Sequence, residues 1–101
     1  MKILNQLTVA CGKQADLHAG YHEIISVLGE PQGPSSDGKV RAGWAVELEN
    51  GAQIWVHDYK DYGTPLSGLK WWSVNSPKKA DADAFLALFA KELRHQEVFG
   101  A

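Results

Sequence analysis

Hydrophobic residues recur along this chain with two different periods, and each change of period marks an element. Over Lys2–Cys11, KILNQLTVAC, the residues Ile3, Leu7, Val9 and Cys11 fall on one side of an alternating pattern, which predicts a first strand ended by Gly12 and the polar stretch KQADLHAG. Tyr21, Ile24, Ile25 and Leu28 then recur at helical spacing and predict a helix over Tyr21–Leu28, with Gly29 suited to a left-handed cap and Pro31 unable to continue the turn. A helix this short is marginal alone, so packing must hold it. Glu30–Lys39, EPQGPSSDGK, reads as a loop because its prolines, glycines, serines and aspartate all favour turns.

Trp44–Lys60, WAVELENGAQIWVHDYK, reads as a hairpin joined at Asn50-Gly51. Two registers are open to it. A two-residue primed turn opposes Glu49 to Ala52 and puts Trp44, Val46 and Leu48 on the face of Gln53, Trp55, His57 and Tyr59. A three-residue loop, Glu49-Asn50-Gly51 with a left-handed glycine in a bulge, opposes Leu48 to Ala52 and joins Trp44, Val46, Leu48, Ile54 and Val56 into one apolar face. The bulged register is the better expectation, because a buried face specifies its pairing and a slip of one residue inverts it. Its consequence is an opposite face of Ala45, Glu47, Gln53, Trp55, His57 and Tyr59.

After a loop over Asp61–Gly68, Leu69–Asn75 reads as a further strand. The neighbours Trp71 and Trp72 point to opposite faces there, and Val74 places Trp72 inward and Trp71 outward. Ser76-Pro77, or else Asp81, starts a second helix whose apolar stripe is Phe85, Leu86, Leu88, Phe89 and Leu93. The order strand, helix, strand, strand, strand, helix predicts an α+β fold: an antiparallel sheet of three to four strands with two helices packed on one face. At 101 residues the chain suits a single globular domain, 1–101.

Charge and composition narrow the partners. A formal net charge of −2 gives no footprint for general nucleic-acid binding, and no apolar run reaches the roughly 18 residues that span a bilayer. The expected setting is the cytoplasm, without a membrane partner. Cys11 is the only cysteine, so neither an internal disulfide nor a thiolate-rich metal site is available, and a buried structural thiol is expected.

Catalytic chemistry has little support. His18 and His22 are four apart, but Gly20 lies between them and no third ligand is evident, so both are expected as solvated residues and no metal or cofactor is assigned. His57 and Asp58 are adjacent in a strand and point apart, which leaves Glu47 across the hairpin as the best acid–base partner for His57. Ser35 and Ser36 lack nucleophile context, and no glycine-rich loop precedes a helix. Lys70, Lys78 and Lys79 add positive charge near Trp71, where a nucleotide-like ligand could stack.

LGEP at the first helix end, a Trp that opens a strand, ENG at the turn and a return strand ending in DYK resemble small proteins encoded by bacteriophages and prophages. The likeness covers Tyr21 to about Asn75. It departs from that pattern at Val56-His57-Asp58, where Ile-Tyr-Asn or Asp is expected, and at WWSVNS, where Trp-His-Ile-Gly-Gly is expected. The resemblance implies a phage or mobile-element accessory protein and carries over no catalytic residue. The expected function is non-catalytic binding of a host protein, as an inhibitor of host defence, through Trp55, His57, Tyr59, Trp71, Glu47 and Lys70 or through the two loops. Alternatives are sequestration of a small nucleotide-like ligand and an enzyme using His57. A homodimer through the same face is also open.

Overall fold

Which side of each strand is apolar decides how this chain closes. In the computed structural model, which describes residues 1–59 and 63–99, β3 (Gly43–Glu47) and β4 (Gln53–His57) pair with Trp44 opposite Val56 and Val46 opposite Ile54. This is the bulged register. Leu48 N donates to Ala52 O at 2.9 Å, Gly51 N donates to Leu48 O at 2.9 Å, and Gly51 has φ +87°, a left-handed conformation that glycine adopts without a Cβ penalty. Asn50 holds the loop from both ends of its amide: Oδ1 accepts from Ala52 N, and Nδ2 donates to Asp81 in the first turn of the second helix.

The sheet has five antiparallel strands in the order β1-β3-β4-β5-β2, with β1 at Lys2–Leu4, β2 at Lys13–His18 and β5 at Trp71–Asn75. The α+β class is as expected, and the sheet is one strand wider than the upper expectation. The extra strand comes from KQADLH, the stretch expected to end the first strand. Its inward residues are the modest Ala15 and Leu17, and its outward Asp16 and His18 are the polar residues that guard an exposed edge, so its alternation carries little hydrophobic contrast. The first strand in turn stops at Leu4. The chain then travels from one edge of the sheet to the other, and Leu7, Val9 and Cys11 lie on that crossing rather than in a strand.

Both helices, α1 (Tyr21–Leu28) and α2 (Lys79–Phe99), pack on the inner face. Ile24 and Leu28 of α1 and Ala82, Phe85 and Phe89 of α2 join Trp44, Val46, Ile54, Val56, Trp72 and Val74 in one core. Each fully buried aliphatic side chain there stabilises the fold by about 1.5–3 kcal/mol. Two buried indoles bracket the short α1: Trp72 Nε1 donates to Ala19 O just before it at 3.0 Å, and Trp44 Nε1 donates to Gly29 O just after it at 2.8 Å. Tyr21 closes the cluster, stacked on Trp72 with ring centres 6.0 Å apart. Packing thus holds a helix too short to persist alone.

The second helix starts at Lys79, beyond Ser76-Pro77. Ser76 is buried and donates from its hydroxyl to Lys78 O at 2.6 Å, so it braces the turn into α2 instead of capping the helix. Asp81 lies within the first turn rather than before it.

Candidate functional site

The outer face begins as the alternation dictates. Ala45, Trp55, His57, Trp71, Ser73 and Asn75 project away from the helices because Trp44, Val56, Trp72 and Val74 project toward them. Yet this face is not an open aromatic stripe. Ala45 is 1% exposed and His57 7% exposed, and Trp55 is half-buried.

Three causes close it. First, β3 contributes Gly43 opposite His57, and the six-membered ring of the Trp55 indole lies against that glycine; a methyl group there would overlap the ring. Second, the β4 side chains pack on one another at i, i+2: Trp55 and His57 rings lie 5.8 Å apart and nearly parallel, and Tyr59 meets His57 edge-on at 6.2 Å. Third, residues 5–12 cross the face, with Thr8 and Val9 amides donating to Gln53 Oε1.

His57 is a satisfied interior residue. Its Nδ1 lies 2.7 Å from Asp58 O and its Nε2 lies 3.0 Å from Asn75 Oδ1, while Asn75 Nδ2 donates to Cys11 O at 2.8 Å. The expected partner Glu47 is elsewhere: it opposes Gln53 and Lys2, four residues down β4 from His57, or about 13 Å at the rise of a strand. The bulged loop fixes that offset. Asp58 turns inward, 4% exposed, and its carboxylate accepts from Arg41 N, Ala42 N and Arg41 Nε at 2.9–3.1 Å. The carboxylate anchors the approach to β3, and Asp58 meets the imidazole through its backbone carbonyl instead.

What remains at the surface is concentrated at one end of the face. Tyr59, beyond β4, is 51% exposed and Trp71, opening β5, is 58% exposed. Between them lies a notch of about 50 Å³ lined also by His57, Asp58, Leu69 and Ser73. That volume holds a water or the tip of a side chain and falls well below the roughly 300–1,000 Å³ of small-molecule pockets. Hollows of about 270 and 280 Å³ lie on the other side of the molecule, along Met1, Ile3, Leu48 and Leu88.

Cations are distributed differently from the expectation. Lys70 is exposed just before β5, with its carbonyl accepting from Ala19 N. Lys78 and Lys79 lie past the other end of β5, and Lys79 pairs with Asp83 at 3.1 Å, so the three lysines form no cluster at Trp71. Among the described residues, the cation that reaches Trp71 is Lys13 of β2, with Nζ 5.6 Å from the ring centre and 2.7 Å from Asp16. No local signal in KQADLH announces that contact, because cross-strand pairing creates it.

His18 and His22 are both exposed, on β2 and α1 respectively, and Cys11 is half-buried on the crossing segment instead of in the core. In the expected loops, Glu30–Lys39 is ordered by Ser35 and Asp37, whereas Asp61 and Tyr62, like Lys60, lie outside the described residues. No helix among the described residues is long and apolar enough to cross a membrane. Compared with protein-family models, curated protein sequences and solved structures, the chain matches none.

Proposed function

We propose that this chain is a non-catalytic binding protein that recognises another protein through Tyr59 and Trp71. The observation that carries the reading is the pair itself: two large aromatic side chains, one just past the end of β4 and one opening β5, each more than half exposed, on either side of a notch. Tyr and Trp are the residue types that anchor interfaces, and a notch between them suits a single inserted side chain. The resemblance to phage-encoded accessory proteins supports a host protein as the partner, with host defence among its candidate roles. A nucleotide-like ligand would find a stacking surface on Trp71 but, among the described residues, no enclosure, which favours the protein partner.

Affinity capture from a bacterial host lysate tests this reading, with Tyr59→Ala and Trp71→Ala compared against the wild type. Hot-spot truncation costs at least about 2 kcal/mol, so each variant should weaken retention of a captured partner by about 30-fold while leaving the circular-dichroism spectrum unchanged. Retention unaffected by both substitutions would overturn the assignment.

A further inference from the structure

Because β1 and β2 occupy opposite edges of the sheet, the chain between them must cross it. Residues 5–12 do so without secondary structure, and their side chains are exposed or half-buried. Among the described bonds, two side-chain amides supply most of the attachment. Gln53 Oε1 accepts from Thr8 N at 2.8 Å and from Val9 N at 3.3 Å, and Gln53 Nε2 donates to Thr8 Oγ1 at 2.6 Å. Asn75 Nδ2 donates to Cys11 O, and Ser76 N donates to Gly12 O at 3.2 Å where the crossing joins β2.

The two amides flank one residue. Gln53 stands two positions before Trp55 on the same face of β4, and Asn75 is the cross-strand partner of Trp55 on β5. The crossing therefore passes beside Trp55 as it runs from one amide to the other. Its bonds to Gln53 are solvent-exposed, where water competes for both partners, whereas the β3–β4 ladder beneath is backed by fully buried side chains. Segments with few buried contacts and exposed hydrogen bonds open well before the core does.

We propose that residues 5–12 form a releasable strap, which lifts from the outer face while the five strands stay paired and thereby adds Trp55 to the surface offered by Tyr59 and Trp71. The functional consequence rests on the reading of Tyr59 and Trp71 as the binding surface; the motion of the strap does not. With the strap down, Trp55 is confined between Gly43 and His57 at the side of the crossing. With it lifted, the outer edge of that indole joins the exposed aromatics, so the strap sets how much of the face a partner meets.

Amide exchange on the full chain reads the motion without any partner. In the wild type, the Thr8 and Val9 amides should exchange at least about 100-fold faster than those of Val46 and Val56. Gln53→Ala should speed Thr8 and Val9 a further tenfold or so and leave Val46 and Val56 within about twofold, as expected for loss of local hydrogen bonds. Thr8→Ala, which alters only the strap, should shift Val9 in the same direction and guards against a general effect of changing β4. In protein carrying fluorotryptophan, the Trp55 resonance should become more sensitive to solvent isotope in both variants. Exchange of Thr8 and Val9 in step with Val46 and Val56, or a Trp55 resonance unchanged when the strap loosens, would overturn the proposal. A strap that releases in a protein that retains no partner counts against the binding surface alone.

Discussion

Single residues at the ends of β3 and β4 carry more of the architecture than their types suggest. The Asp58 carboxylate satisfies two backbone amides and one guanidinium nitrogen in a nearly closed site. Removing one member of such a set strands the others, so Asp58→Ala should cost about 3 kcal/mol, near the low end for a broken buried pair because Arg41 is partly exposed. Asp58→Asn keeps an acceptor for the amides and should cost less. Urea titration checks both, and an alanine variant within about 1 kcal/mol of the wild type would remove Asp58 from this role. Gly43 is tied to Trp55 in the same way: Gly43→Ala should cost about 1–3 kcal/mol by displacing the indole, and much less in a Trp55→Leu background. Equal costs in both backgrounds would contradict that coupling. Of these residues, only Trp55 stood out in the sequence. Adjacent strand positions point the Asp58 and His57 side chains apart, as observed, but the backbone contact of Asp58 O with His57 and the carboxylate's bonds to Arg41 and Ala42 are not legible in the linear order.

Elements were legible where burial imposes a period and obscure where it does not. The hairpin register followed from Trp44, Val46, Leu48, Ile54 and Val56, since only the bulged loop gathers them on one face. The split of the first strand was hidden because Leu7, Val9 and Cys11 keep an alternation that here serves a crossing. β2 was hidden for the opposite reason, since Ala15 and Leu17 give a weak apolar side. The loop before β3 shows how short-range bonds order a segment without a core. Ser35 Oγ donates to Asp37 Oδ1 at 2.7 Å and Lys39 N donates to the same oxygen at 3.1 Å; these, the serine first, hold the Asp37 carboxyl below the ordinary carboxylate range. A folded-state value below the unfolded one means the stabilisation is in place above the ordinary carboxylate range and lost as acid protonates Asp37. Acidification should therefore accelerate exchange at the Lys39 and Val40 amides beyond its intrinsic pH trend, and Asp37→Asn should abolish that excess. An excess that persists in the variant would assign it to another group.

Across the whole molecule, large apolar side chains among the described residues are exposed singly at Val9 and Val98 and grouped in two separate places. One is the Tyr59–Trp71 end of the outer face; the other is the trough along Met1, Ile3 and Leu88 beside the β1 edge. Both are ordinary in kind for a small protein, and the difference lies in residue type: the first offers a Trp and a Tyr beside a cation, the second only flexible or aliphatic side chains. Tyr59 and Trp71 are legible in the sequence as surface aromatics, whereas the covering of Trp55 and His57 is not, because alternation reports which face a side chain takes and not what crosses it. The most direct measurement is retention of lysate proteins by four forms of the chain in parallel: wild type, Tyr59→Ala with Trp71→Ala, Ile3→Ala with Leu88→Ala, and Val98→Ala as a surface control. The account predicts a partner held by the wild type, the trough variant and the control and lost from the Tyr59 and Trp71 variant. A partner lost from the trough variant and kept by the Tyr59 and Trp71 variant would contradict it.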